Sequence, residues 1–431
     1  MENRDVEQQN APVAAGNLAY QDAALTTVSE LDESELLQRI FPHLPTNEYV
    51  VEGPGDDCAV IAAPDGRFVV STDILLEGVH FRTEWSTGYE VGWRAAMQNL
   101  ADIAAMGAHP TSMVVGLGMP RSLRIDWVEG FAQGLGAAAK SCGASCVGGD
   151  LSGAPSLFVS VTVHGDLQGR RPVLRSGAQP GDVVALAGHT GWSAAGFELL
   201  SRYELTNPQG RANSQGPLTQ TVTIHPRDIL DALSPRASSA QSPHIEAAIA
   251  LALRTFKSPT APIALGTVAS VYGASAMMDV SDGLIRDSQR IARASSVSLT
   301  LDYPLMARQV LAPPTIESLD SRGPSHNALS CDQQLNSAQG LTLLANLLEP
   351  TDALAAERLV GKWMLSGGED HALLATFPHG TPVPTGFQTI GRVEPIAHQT
   401  PQRTQPAQRA GAVQVVGYEL GDDTIGWDHF R

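Results

Sequence analysis

Lysine is the scarcest charged residue of this chain. Only three lysines, Lys140, Lys257 and Lys362, occur among 431 residues. None stands in the G-x-x-x-x-G-K-[ST] pattern of a phosphate-binding loop, because Gly361-Lys362 is followed by Trp363. No G-x-G-x-x-G pattern lies between a predicted strand and a predicted helix. The sequence therefore supports neither a P-loop nucleotide site nor a dinucleotide-binding fold.

Positive charge is also sparse overall. The formal net charge is −17, and the arginines form no basic patch. Nucleic acid is therefore not an expected partner. An acidic chain can still bind an anionic substrate if metal ions reverse the local charge.

Cysteine and long apolar runs are lacking too. Of four cysteines, Cys142 and Cys146 lie close together, but no second pair or nearby histidine completes a zinc site, so buried thiols in a reducing compartment are expected. No apolar run approaches the length of a membrane span, and the polar N-terminus MENRDVEQQN does not resemble a signal peptide. These features predict a cytoplasmic protein that does not enter a membrane.

Alternating strand and helix patterns predict two mixed α+β domains. The stretch CAVIAAPDGRFVVSTD predicts two strands joined by a turn at Pro64-Asp65-Gly66. The stretch TGYEVGWRAAMQNLADIAAMGA predicts a long helix that ends at Gly107. By composition we predict a flexible arm at 1–28, an N-terminal domain at 29–168 and a C-terminal domain at 169–395. The C-terminal domain carries polar insertions at 202–243 and 312–350. Residues 396–431 are predicted to form a linker and a C-terminal tail, and the tail is predicted to pack back onto the body.

Five short segments place an acid at a strand end, on a helix or in a glycine-rich turn. They are GPGDD with Asp56, STD with Asp73, NLAD with Asp102, GGD with Asp150, and MDVSDG with Asp279 and Asp282. Taken singly, each has an ordinary structural explanation as a helix cap, a turn or a solvent-facing acid. Together they favour magnesium, which binds a few carboxylates plus substrate phosphates. Gly55 and Gly148-Gly149 would let backbone amides approach a phosphate. This pattern predicts metal-dependent phosphoryl transfer without a P-loop.

The ordered motifs carry a further resemblance. They are GPGDDCAVI, STDILLEGVHF, VGWRAAMQNLADIAAMGA, VVGGDLSG, RSGAQPGDVV, MDVSDGL, LSGGEDHALL and the terminal GWDHF. This set resembles bacterial thiamine-monophosphate kinase, a member of the ATP-binding superfamily of aminoimidazole ribonucleotide synthetase. The resemblance implies an α/β (α+β) two-domain PurM-like fold and a homodimer in which N-terminal sheets pair. It also implies that ATP phosphorylates thiamine monophosphate to thiamine diphosphate, the final step of that biosynthesis, with several Mg²⁺ ions bridging the phosphates.

The resemblance also implies roles for individual residues. Implied metal ligands are Asp56, Ser71, Thr72, Asp73, Asp102, Asp150, Asp279 and Asp282. Implied nucleotide-binding residues are Gly149, Asp150, Arg175, Ser281 and Phe131. Implied residues for the thiamine phosphate are His80, Glu369 and Trp427, and an aromatic face suits a cationic thiazolium. No side chain is expected to act as a general acid or base, because the attacking phosphate oxygen is already anionic.

Alternative interpretations stay open for these residues and for the function. His80 could be a core histidine, Glu369 part of a polar turn, and Trp427 a packing anchor for the tail. Selenophosphate synthetase is a related possibility, but it needs a reactive cysteine or equivalent in an N-terminal arm, and residues 1–28 contain no cysteine. The hydrogenase-maturation dehydratase uses a C-terminal cysteine, whereas this chain ends in WDHFR. A non-catalytic nucleotide sensor with the same fold is the remaining alternative.

Overall fold

The computed structural model describes residues 27–31, 33–53, 59–206, 224–234, 242–308, 337–396 and 411–419. Within these ranges the strands are β1 (Val50–Glu52), β2 (Val60–Ile61), β3 (Val69–Leu76), β4 (His109–Met119), β5 (Ser145–Gly153), β6 (Phe158–Asp166), β7 (Val183–Ala187), β8 (Ala276–Val280), β9 (Ser298–Asp302), β10 (Ala372–Phe377), β11 (Phe387–Glu394) and β12 (Val413–Val416). The α-helices of the same ranges are α1 (Glu33–Ile40), α2 (Gly88–Ala105), α3 (Ile125–Ser141), α4 (Trp192–Thr206), α5 (Pro226–Leu233), α6 (Ser242–Lys257), α7 (Ile263–Val271), α8 (Leu284–Ser295), α9 (Tyr303–Arg308), α10 (Ser337–Leu348) and α11 (Ala353–Ser366).

A four-stranded sheet in the order β3-β6-β4-β5 forms the first half of the molecule. Strands β4 and β5 are parallel, and the other neighbours are antiparallel. Helix α2 packs against this sheet and against α3. Its start is fixed by Thr87 and Glu90, whose side chains bond each other's backbone N–H groups. The two helices approach closely at Gly92, where a Cβ atom would lie 2.0 Å from the Phe131 carbonyl oxygen.

A six-stranded sheet in the order β12-β9-β11-β7-β10-β8 forms the second half. All its neighbours are antiparallel except β12, which runs parallel to β9. A second apolar core forms around this sheet, with fully buried side chains such as Trp192 and Leu199 from α4 and Leu344 from α10. The mixed α/β class predicted from the sequence is confirmed.

Helix α2 joins the two halves. The Trp93 indole N–H donates to the Pro259 carbonyl oxygen at 2.8 Å, beyond the end of α6. Helix α2 also contacts α7, β8 and β10 of the second half. The same helix therefore contacts the edges of both sheets, which is where the polar residues of interest converge.

The two predicted polar insertions contain helices. Helix α5 lies within residues 202–243, and the whole of α10 lies within residues 312–350. Ile229 and Leu230 of α5 are buried, as are Leu341 and Leu344 of α10. Their apolar side chains recur at helical spacing within a background rich in Ser, Pro and Gln, and that background concealed the periodicity.

Two further differences concern strands. The GGD pattern predicts that Asp150 lies in a glycine-rich turn, but residues Ser145–Gly153 form β5, which lies at the edge of the first sheet. Within the predicted linker and tail, Val413–Val416 form β12 at the edge of the second sheet, and residues 420–431 lie outside the described residues. No helix in the described part of the chain is long and apolar enough to cross a membrane.

Candidate active site

Alternation along β3 separates its polar residues. Ser71 and Asp73 face α2, whereas the Thr72 hydroxyl lies on the opposite face and donates to the Val161 carbonyl oxygen at 3.0 Å. The buried Asn99 side chain of α2 accepts from the Asp73 backbone N–H at 2.9 Å. Residues two apart in a strand share a face, so the STD motif brings Ser71 and Asp73, but not the Thr72 side chain, to the cluster.

Asp102 completes the acidic group on the first half. The Ser71 hydroxyl donates to an Asp102 carboxylate oxygen at 2.6 Å. Burial, together with the nearby charge of Asp279, raises the pKa of Asp102 to about 7. Burial also raises the pKa of Asp73. These carboxylates are crowded in a site that favours their neutral forms unless a cation is near.

Asp279 brings a carboxylate from the second half. It lies near the end of β8, is 4% exposed, and its Oδ2 lies 3.6 Å from Nδ1 of His371. Burial alone would lower the pKa of His371, but interactions with Asp279 and Glu369 outweigh burial and raise that pKa to about 10. Asp73, Asp102 and Asp279 thus converge from β3, α2 and β8, beside the imidazole of His371.

The loop after β8 is held by an acid that the sequence analysis missed. Asp287 of α8 is fully buried, and its Oδ2 accepts the backbone N–H groups of Ser281 and Asp282, each at 3.0 Å. Arg290 donates to both Asp287 and Asp282. Burial raises the pKa of Asp287 to about 7. Its place in the first turn of an amphipathic helix directly after SDG was the available signal.

The loop between α11 and β10 presents Glu369. Glu369 and His371 both have positive φ, at 68° and 53°, an uncommon conformation for residues with side chains. Between them, Asp370 turns the other way and accepts the backbone N–H groups of Gly191 and Ser193 at the start of α4. Arg94 of α2 donates to Glu369 and, despite burial, holds the pKa of that carboxyl well below its usual range. Arg94 and Asp370 were not predicted as site residues.

His80 lies in the turn after β3. Its Nδ1 accepts the Leu76 backbone N–H at 3.0 Å. The following segment is held to α4 by Glu204, which accepts from Arg82 at 2.9 Å and from the Trp85 indole N–H at 2.7 Å. The His80 loop of the first half is therefore attached to a helix of the second.

A cavity of about 850 Å³ lies beside the first sheet. Three predicted nucleotide-binding residues line it: Phe131, Gly149 and Asp150. At Gly149 a Cβ atom would lie 2.0 Å from the Val115 carbonyl oxygen, so glycine is required there. The other two predicted nucleotide residues, Arg175 and Ser281, do not line this cavity. Arg175 is exposed, and its carbonyl oxygen accepts from the Ser295 hydroxyl.

The donor set fits magnesium. The half-buried carboxylates of Asp73 and Asp102, with raised pKa values, are hard oxygen ligands that a divalent cation would keep ionised. In the described ranges, no three His, Cys, Asp or Glu side chains are arranged closely enough to hold a metal ion by themselves. Asp150 is exposed and accepts from Ser152, and Asp282 is paired with Arg290. Asp56 and Trp427 lie outside the described residues.

Comparison with known proteins identifies this arrangement. Residues 55–167 match the family described as AIR synthase related protein, N-terminal domain. This range contains the four strands of the first sheet and the acids Asp73 and Asp102. The thiamine-monophosphate kinase of Mycobacterium tuberculosis (strain ATCC 25618 / H37Rv) is 37% identical over 367 residues, 85% of this chain and 86% of that one. The chain belongs to the thiamine-monophosphate kinase family.

A second relative and a solved structure point to the same family. The thiamine-monophosphate kinase of Corynebacterium glutamicum is 33% identical over 376 residues, 86% of this chain and 89% of that protein. A solved structure of AaThiL complexed with AMPPCP and TMP has a TM-score of 0.58 and 25% identity, and the match covers 93% of this chain and 98% of that one. The family resemblance inferred from the motifs is confirmed.

Proposed function

We propose that this protein transfers the γ-phosphate of ATP to thiamine monophosphate and releases thiamine diphosphate and ADP. Membership of the thiamine-monophosphate kinase family supports this proposal, as does the likeness to AaThiL complexed with AMPPCP and TMP. The observation that carries it is the convergence of Asp73, Asp102 and Asp279 from both halves of the molecule, beside the loop that presents Glu369.

The carboxylates would hold magnesium. Asp73, Asp102 and Asp279 are the central ligands in this proposal, with Asp56, Asp150, Asp282, Ser71 and Thr72 assigned through their motifs. When bound, magnesium neutralises the phosphate oxygens of the nucleotide. Because its side chain lies on the other face of β3, Thr72 could contribute only its backbone carbonyl.

The cavity beside the first sheet is the proposed nucleotide site. Its volume of about 850 Å³ falls in the range of small-molecule pockets. Gly149 lines this cavity with backbone atoms, and Phe131 supplies an apolar surface for the base. Arg175 and Ser281 are included on their motifs alone.

The acceptor would bind on the side of Glu369 and His80. A carboxylate suits the cationic thiazolium and the exocyclic amine of the aminopyrimidine. Trp427 is proposed to cover the same substrate with its aromatic face.

The reaction needs orientation rather than an acid or a base. An oxygen of the acceptor phosphate attacks the γ-phosphorus, a new P–O bond forms, and the bond from the γ-phosphorus to the β–γ bridging oxygen breaks. The nucleophile is already anionic, so no proton has to be removed. The protein's contribution is in-line positioning of two phosphates and offsetting of their charges.

A second copy of the chain is the proposed partner. The face of the first sheet opposite α2 exposes an apolar row along the edge strand β3, in which Val70 is 57%, Ile74 49% and Leu76 39% exposed. Exposed apolar patches of this kind mark interaction sites, and pairing of two such sheets would cover both rows.

A direct assay tests the activity. The purified protein is incubated with ATP, Mg²⁺ and thiamine monophosphate, and thiamine diphosphate and ADP are quantified. Equal amounts of both products are expected. Thermal stabilisation by ATP with Mg²⁺ but no product would instead identify a nucleotide sensor.

A further inference from the structure

Arg94 is a buried cation that crosses from the first half of the molecule to the second. It lies on α2, and its side chain is 3% exposed. One guanidinium nitrogen donates to the Phe256 carbonyl oxygen at 2.5 Å, and the guanidinium carbon lies 5.1 Å from the centroid of the Phe256 ring. Another nitrogen donates to Oε2 of Glu369. A buried charge is costly unless it is paired, so this arrangement ties Arg94 to Glu369.

The backbone N–H and one carboxylate oxygen of Glu369 are held by neighbouring residues, and the other carboxylate oxygen is not. Its backbone N–H donates to the Ser281 carbonyl oxygen at 2.8 Å, and the neighbouring Asp370 is anchored at the start of α4. Its Oε2 receives Arg94 and lies 3.8 Å from Nε2 of His371. Among the described residues, Oε1 has no hydrogen-bond partner. The Glu369 side chain is 31% exposed, so a ligand can reach this oxygen. One oxygen is thus used internally, and the other is left for a ligand.

We propose that Arg94 is a positioning residue for acceptor recognition, which holds Glu369 by Oε2 so that Oε1 receives the amine or the cation of the thiamine ring system. This inference rests on the proposed function. It assigns Arg94 no contact with the substrate.

The guanidinium is suited to this task in a way that an ammonium is not. Its nitrogens lie in a fixed plane, so the group donates to Glu369 and to Phe256 at once while its face lies against the ring. Lysine keeps the charge but cannot make both bonds in that geometry. Arg94→Lys is therefore the informative substitution.

The first test compares Michaelis constants. Arg94→Lys should raise KM for thiamine monophosphate about tenfold or more, the loss expected when a charged hydrogen bond is misplaced. The KM for ATP should stay within about twofold, the scatter typical of distant independent changes. The matched control is Arg39→Lys, which alters an arginine–glutamate pair between α1 and α3 with Glu129 at 2.7 Å. That control should leave both constants unchanged. Equal rises in both constants for Arg94→Lys would overturn the inference.

The second test is a double-mutant cycle. If Arg94 acts through Glu369, Arg94→Lys should add almost nothing to KM for thiamine monophosphate when Glu369→Gln is already present. Additive effects would overturn the inference. Should Arg94→Lys fail to fold, Arg94→Gln, which removes the buried charge but keeps an N–H donor, enters the same cycle.

A binding measurement separates this inference from the proposed function. Calorimetry with thiamine monophosphate, in the presence of ADP and Mg²⁺, gives the same comparison without turnover. Binding that weakens in Arg94→Lys without any thiamine diphosphate formed by the wild type would overturn the proposed function alone. Normal turnover with an unchanged KM in the variant would overturn the inference alone.

Discussion

At the scale of single residues, Asp73 occupies the point where β3 faces α2. We predict that Asp73→Asn abolishes turnover and leaves the fold intact. Loss of a metal ligand would misplace the transferred phosphate, and an error of 1 Å can cost about 100-fold in rate. Product formation across a magnesium titration, together with the melting temperature, checks this prediction. Near-normal turnover at limiting magnesium would contradict it.

Asp102 predicts a pH dependence of stability. In the unfolded chain its carboxyl releases its proton near pH 3.8, whereas in the folded metal-free protein it does so at about 7. The folded protein therefore binds this proton more tightly than the unfolded chain does. The stability that results is fully present below about pH 4 and is lost as the pH rises to about 7.

Asp102→Asn removes this dependence. In EDTA at pH 8, the variant should be more stable than the wild type by at least about 1.4 kcal/mol, the equivalent of one pKa unit. The difference should disappear near pH 4. Thermal melts across this range provide the measurement, and a constant difference at all pH values would show that the charge is not responsible.

Substitution of Asp287, which holds the SDG loop, should lower the stability of the fold. Asp287→Ala leaves the backbone N–H groups of Ser281 and Asp282 without this acceptor and removes one of the two carboxylates that Arg290 contacts, so the free energy of unfolding should fall by about 2–4 kcal/mol. Asp287→Asn keeps an oxygen that can accept both N–H groups and should cost less. Urea denaturation of the two variants makes the comparison, and equal losses would argue against the amide contacts.

The sequence predicted the acids of this site better than their partners. Asp73, Asp102 and Asp279 could be proposed because each stands in a recognisable short motif. Arg94 could not, because its partner Glu369 lies 275 positions away and only the packing of α2 against the second half brings them together. His371 was missed because its place beside Asp279 and Glu369 depends on the positive φ of Glu369 and of His371 itself, which the sequence pattern does not indicate.

At the scale of elements, helix α10 belongs to the core rather than to a loop. We predict that Leu344→Ala lowers the free energy of unfolding by about 2–5 kcal/mol, the usual cost of a large cavity in a core. Leu354→Ala on α11 is the matched control, because that leucine is 54% exposed. The control should change stability by less than about 0.5 kcal/mol. Similar losses in both variants would mean that α10 is not anchored as described.

Strong patterns predicted elements well, and mixed ones did not. The long helix α2 could be predicted because its apolar stripe and the glycine after its end agree. Helices α5 and α10 lie in stretches rich in Ser, Pro and Gln, and that composition concealed the helical spacing of their buried side chains. Strand β5 is rich in glycine, which a strand usually avoids, and it forms because β4 pairs with it along its length.

At the scale of the whole molecule, the apolar row on β3 predicts the oligomeric state. Ile74→Glu places a charge in the proposed pairing face and should convert a dimer to a monomer. Val271→Glu, at a residue 65% exposed on α7, is the control and should leave the dimer unchanged. Light scattering coupled to size exclusion measures both. A wild type that is itself monomeric would overturn the proposed pairing.

The order of strands in the second sheet has a consequence for biosynthesis. Strand β7 lies between β10 and β11, which follow it in the chain by nearly two hundred residues. At the usual rates of translation, roughly ten to forty seconds separate the emergence of Val183–Ala187 from that of its partners. During this interval both edges of an apolar strand are unpaired, which exposes nascent chains on crowded ribosomes to aggregation. Added chaperones that bind nascent chains should therefore increase the recovery of correctly folded protein.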